Sequence, residues 1–257
     1  MIRLSKNSLS KPLKLKNVKR YKTMTRSLLT LPVMLLAIST NSFAAESDSK
    51  YFSSASFMEI DWNNKESNDN YSFDGQWLYG SDYNKLAILT EGELFNDELE
   101  EAEVQLLYSK YLATFWDARF GLRQELKPES ETSLVVGIEG LAPYLFDVGS
   151  SLYLSEKGNA SAEVELAYEV QLTQNLVAEI YSNATLNGYN DAEDNKGSGL
   201  AMADYGMQIR YEFNRHFALY LDVNEAKTFG ETKRMLREAN ESSDENRLSF
   251  GIRFFNF

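Results

Sequence analysis

The sequence contains no cysteine, one histidine and four prolines in 257 residues. Without cysteine there is no disulfide, no thiolate metal site and no thiol nucleophile. With His216 as the lone imidazole, a Ser–His–acid hydrolase has one option for its base. His216 lies in the short polar segment "NRHF" with no serine elbow beside it, so no enzymatic activity is expected. Acidic residues are absent from the first 44 positions, which hold nine of the 26 Lys and Arg. Beyond that region no apolar run approaches the roughly eighteen residues of a membrane-spanning helix. Mean hydropathy is −0.40, which does not exclude a barrel, because barrel strands hide their apolar residues among polar ones.

The basic front leads into "SLLTLPVMLLAIST" and then "NSFA", where Ser42 and Ala44 supply the small residues of a cleavage site. Residues 1–44 therefore read as a secretory signal peptide cut after Ala44, with Met1 or Met24 as the start. Residues 45–56 read as a short periplasmic segment. After residue 44, all 38 acids face 17 Lys and Arg, a net charge near −21. Such a chain repels nucleic acid and attracts cations.

From residue 57 the chain breaks into segments of period-two alternation, rich in Tyr, Phe, Leu and Val and separated by polar turns. "FMEIDW" puts Met58, Ile60 and Trp62 on one face. "DARFGLRQEL" alternates Asp117, Arg119 and Arg123 with Ala118, Phe120 and Leu122. Twelve segments fit, the last seven near 132–142, 146–155, 160–171, 176–188, 201–213, 217–229 and 245–257. Connections after odd segments read as long and polar, such as "NNKESNDN", "FNDELE", "KPESET" and "GETKRMLREANESSD". Those after even segments read as short. This rhythm predicts one all-β domain, residues 57–257, forming a single transmembrane antiparallel up-and-down β-barrel of about 12 strands. Its short turns would be periplasmic and its long loops outside.

The polar parity of these strands predicts the lumen. Glu91, Glu103 and Asp117 share it with Arg119 and Arg123, and Glu93 joins them through a bulge at Gly92. A cross-lumen network of acidic and basic side chains is one reading; a path or site for hard cations is the other. The soft donors Met202, His216 and Met235 are the weaker metal candidates. Phe255 and Phe257 fall on the polar parity of the last strand and call for a bulge or a rim position.

The blocks "GSDYNKLAILTEGE", "EAEVQLLYSKYLATFWDARFGLRQEL", "GLAPYLF" and "GSGLAMADYGMQIRYEF" resemble the copper resistance protein B family, over Ser72 to Phe257. The resemblance implies a Gram-negative outer-membrane barrel, exported through the general secretory route, serving copper homeostasis and metal tolerance. Copper ion binding comes with it. The implied partners are metal cations, outer-membrane lipid, the barrel-assembly machinery and periplasmic copper-resistance proteins. Family members often carry a Met- and His-rich stretch before the barrel; here the matching "AESDSKYFSSASF" has neither. The alternative is a small cation or solute pore without a dedicated copper site.

The terminal Phe257 reads as the signal recognised during membrane insertion. Phe257→Ser is expected to lower the heat-modifiable, folded barrel in the membrane far more than it lowers synthesis. Normal recovery of folded protein would overturn this reading.

Overall fold

The structure is a computed structural model describing residues 53–65, 68–95, 98–127, 129–191, 195–240 and 242–256. The proposed signal peptide, most of the 45–56 segment and Phe257 lie outside the described residues.

Twelve strands follow in order: β1 Ser53–Lys65, β2 Asn68–Gly80, β3 Asn84–Phe95, β4 Glu98–Ala113, β5 Trp116–Lys127 and β6 Glu131–Ala142. They continue as β7 Phe146–Ser155, β8 Ala160–Gln171, β9 Leu176–Asn187, β10 Gly199–Asn214, β11 Phe217–Thr228 and β12 Asp244–Asn256. Each pairs antiparallel with its sequence neighbours, and β12 pairs with β1, so the sheet is a closed barrel. The closing ladder runs without a shift from Ser56↔Asn256 through Ile60↔Ile252 to Asn63↔Ser249. Closure leaves no strand edge, the condition for a sheet to sit in hydrocarbon.

Alternation sets the faces. In β6, Val135 is 2% exposed and Val136 59%; Leu134 and Ile138 share the outward side with Val136, whereas Ser133 and Gly137 point in. Met58, Ile60, Trp62, Phe120, Leu122, Leu248, Phe250 and Phe254 are likewise outward and exposed. These side chains are exposed to water only in the isolated chain; in a bilayer they face lipid. The inward face is not uniformly polar. Ala87, Leu107, Val135 and Tyr153 form a small dry cluster on the wall made by β3, β4, β6 and β7, with Leu78 and Leu89 against it. Across from it, Tyr181 lies over Gly206 and Tyr220 over Gly251, each ring occupying the space a Cβ would need.

The connections differ from expectation. At one end are the start of β1, the end of β12 and the turns after even strands. At the other, the expected long loops are short in several places. β1–β2 pairing continues to Lys65↔Asn68 and β3–β4 pairing to Phe95↔Glu98. "NNKESNDN" and "FNDELE" are therefore mostly strand, because extended hairpin pairing satisfies backbone groups even where the side chains are polar. Length is concentrated in the β9–β10 connection, 188–198, and in the segment between β11 and β12. The latter holds a helix, α1 Gly230–Ala239, where a loop was expected. "TKRMLREA" is made largely of good helix formers, and Asn240 ends it in the left-handed conformation. Thr232 is buried under Gly197, whose backbone N–H donates to the Thr232 hydroxyl at 2.9 Å, so α1 and the β9–β10 connection are packed together.

Two further expectations change. No bulge occurs at Gly92: Asp74↔Glu91, Phe73↔Gly92 and Ser72↔Glu93 are successive pairs. Glu91 and Glu93 share the inward face simply because they are two residues apart. The irregularity in β3–β4 comes after Glu93. Phe255 sits inward at the rim with its ladder unbroken, under the guanidinium groups of Arg210 and Arg253 at 5.9 and 5.8 Å from the ring centre.

Val136 lies midway along β6 on the outer face. Val136→Arg is expected to destabilise the folded barrel by about 2–4 kcal/mol in lipid vesicles, read from urea unfolding. A variant as stable as the wild type would place Val136 off the lipid face.

Candidate functional site

The barrel interior holds a cavity of about 1330 Å³ that reaches residues at both ends, from Asp82 and Thr114 beside the even turns to Met202 and Glu245 at the opposite mouth. Fifteen carboxylates and three cationic side chains, Lys85, Arg247 and Arg253, line it. A low-dielectric wall focuses the field of such a surface and concentrates cations within it.

The inward-facing cations are tied to the wall. Arg123 on β5 pairs with Glu103 on β4, with Glu163 on β8 at 3.4 Å and with Glu125 at 3.5 Å. It also lies over the Tyr153 ring at 4.7 Å, and the Tyr153 hydroxyl donates to Glu163 at 2.8 Å. Arg119 pairs with Glu139, and Lys85 with Asp117 at 2.8 Å. Arg210 takes Glu169, Glu179 and Glu212 at 2.8, 3.4 and 3.2 Å. Arg253 pairs with Glu59 and donates to Gln208 at 3.0 Å. Arg247 reaches Glu93 at 3.7 Å and Glu245 at 3.5 Å.

Glu91, Glu93, Glu103, Asp117, Arg119 and Arg123 therefore do not form one network. Glu103 and Arg123 belong to one knot; Arg119, Asp117 and Glu93 each pair elsewhere. Asp74, Glu91 and Glu165 make no hydrogen bond or ion pair among the described residues. Asp74 on β2 and Glu165 on β8 stand six strands apart in the ring of twelve, and both line the cavity. Lys85, Arg247, Glu59 and Asp61 also face the lumen, as the alternation of β1, β3 and β12 allows. The dry patch around Val135 had no comparable signal, because an apolar residue at an inward position looks like noise in the alternation.

The soft donors do not converge. Met202 is near the hairpin mouth, and Met235 is on α1 at the same end. His216 is at the opposite rim, its Nδ1 3.1 Å from the Phe255 carbonyl oxygen. Among the described residues no three His, Cys, Asp or Glu side chains are grouped as metal ligands. A resident copper ion prefers thioether and imidazole, so this donor set does not fit one.

The family model described as "Copper resistance protein B precursor (CopB)" matches residues 51–256. The chain belongs to the copper resistance protein B family. The copper resistance protein B homolog of Pseudomonas syringae pv. tomato is 30% identical over 198 residues, 77% of this chain and 67% of that protein. Copper resistance protein B of Escherichia coli is 29% identical over the same shares. Among solved structures, the NanC porin superposes with a TM-score of 0.54 over 77% of this chain and 98% of the porin, at 11% identity. That likeness shows a shared outer-membrane-type barrel fold in this family member.

Arg123 is the testable centre of the interior network. Its removal leaves Glu103 and Glu163 without their guanidinium beside a dry cluster, a change that costs about 3–5 kcal/mol where water does not enter. Arg123→Ala is expected to lower the unfolding midpoint accordingly, while Arg123→Lys restores little, since one ammonium cannot hold the forked geometry. Wild-type stability in both would mean that water replaces these contacts.

Proposed function

We propose that this barrel passes metal cations, copper among them, through the outer membrane as part of copper homeostasis, and catalyses no reaction. The observation that supports it is the cavity reaching both ends, with its arginines neutralised on the wall and Asp74, Glu91 and Glu165 left unmatched. Rings of carboxylates select cations by charge. Copper is cargo in this reading: oxygen donors hold it briefly, and no thioether cage retains it. The turns after even strands and both chain ends then face the periplasm, where copper-resistance proteins are the partners for exchange. Outer-membrane lipid surrounds the barrel, and the barrel-assembly machinery inserts it.

One observation favours a second reading, a small cation pore with no preference for copper. Carboxylates are hard donors that suit calcium as well as copper.

Planar-bilayer recording of the purified barrel under a salt gradient tests the lumen. The wild type is expected to show a reversal potential on the cation side. The Asp74→Asn, Glu91→Gln, Glu165→Gln triple variant is expected to move it toward zero. An unchanged potential would remove these carboxylates from the path. Deletion of the gene, with growth and cell copper content followed on graded copper, separates the two readings. Altered tolerance and content support copper homeostasis; unchanged values leave the general cation pore.

A further inference from the structure

The turn between β6 and β7 is a single 3-10 turn, Pro143–Leu145, and it is built against backbone preference. Tyr144 and Leu145 have φ of 67° and 66°, a left-handed conformation that bulky side chains rarely adopt. Phe115, in the neighbouring β4–β5 turn, has φ of 67°. The Leu141 N–H near the end of β6 donates to the Phe115 carbonyl at 2.9 Å, tying β6 to the β4–β5 turn. Backbone strain persists where something repays it, and packing within the protein does not. Tyr144 is 86% exposed, Leu145 65% and Phe115 68%.

The surface around these residues indicates the occupant. The outward side of the β6–β7 hairpin is apolar, apart from Ser150, from Leu134 and Leu152 down to Phe146, whose ring lies 4.8 Å from that of Tyr168. Tyr144 and Leu145 carry the same surface past the last strand residue, and Leu112 is exposed close to the end of β4. On the far side of the barrel the pattern stops sooner. Tyr211, Phe213, Phe217 and Phe254 form an aromatic edge. Beyond it come Asn214 at the end of β10 and a turn of Arg215 and His216. Tyrosine, with an apolar ring and a polar tip, suits the boundary between acyl chains and headgroups.

We propose that the β6–β7 turn is a membrane anchor. Tyr144 and Leu145 insert into the headgroup boundary of the leaflet at the chain-terminal end, so the barrel sits deeper on its β4–β7 side than on its β10–β11 side. The occupant is lipid because the turn extends the lipid-facing band without a polar break. This inference needs the barrel to lie in a bilayer and is independent of what crosses the lumen.

The cysteine-free chain makes the test direct. Tyr144→Cys, Leu145→Cys and Arg215→Cys each introduce one thiol for an environment-sensitive fluorophore. The labelled barrels are placed in phosphatidylcholine vesicles with or without brominated acyl chains. Labels at 144 and 145 are expected to emit to the blue of the label at 215 and to lose emission to brominated lipid, while the label at 215 does not. Emission at 144 and 145 matching that at 215, without quenching, would overturn the anchor and leave a protein partner as the cover for this turn. Using two positions guards against a fold defect at one, and heat-modifiable migration verifies each labelled barrel.

Discussion

Everything in this molecule depends on the pairing of its last strand with its first. In hydrocarbon an unpaired N–H or C=O has no water to turn to, so a twelve-stranded sheet is admissible only when β12 meets β1. The ladder from Ser56↔Asn256 to Asn63↔Ser249 supplies that pairing. On its other side β12 is held at the rim by the turn before β11: the Phe255 N–H donates to the His216 carbonyl at 3.0 Å, and the His216 imidazole lies against the Phe255 carbonyl oxygen. The single histidine thus fastens the end of β12 to the β10–β11 turn.

Closure also determines the electrostatics. Once the sheet is a tube, every inward side chain shares a narrow space with those of distant strands. Arg123 can then bind carboxylates from β4 and β8, and Arg253 can bind Glu59 from the opposite end of the chain. Because acids outnumber bases on the cavity wall, pairing exhausts the cations first. The carboxylates of Asp74, Glu91 and Glu165 are the ones left without an ion-pair partner among the described residues. The dry cluster of Leu107, Val135 and Tyr153 works in the other direction, holding one wall closed and lowering the dielectric around Arg123.

The two ends of the barrel are unlike. At the hairpin end, most connections are tight and the length is concentrated in 188–198 and the α1 segment, joined at Gly197 and Thr232. At the terminal end, strain is concentrated in the β4–β5 and β6–β7 turns, where large apolar side chains leave the protein surface. Neither asymmetry is needed for a barrel to form.

Period-two alternation in sequence determined strand number and which residues face lipid, as in "DARFGLRQEL", where Phe120 and Leu122 are outward and Arg119 and Arg123 inward. That pattern is legible because the two sides of a barrel wall meet opposite solvents. Charge composition likewise determined that the interior is acidic. Which acids lack an ion-pair partner among the described residues was decided only by the tertiary structure. Partnership depends on shear and on strand separation around the ring, so Arg119 finds Glu139, Asp117 finds Lys85, and Glu91 finds no partner. Polar tracts such as "NNKESNDN" read as loops in sequence yet are mostly strand, since side-chain character says little about backbone pairing outside the membrane. The helix in "TKRMLREA" emerged where local propensity met a packing surface on β10. The left-handed turn at Tyr144 and Leu145 was not visible in sequence at all, because glycine, the usual signal for positive φ, is absent from it.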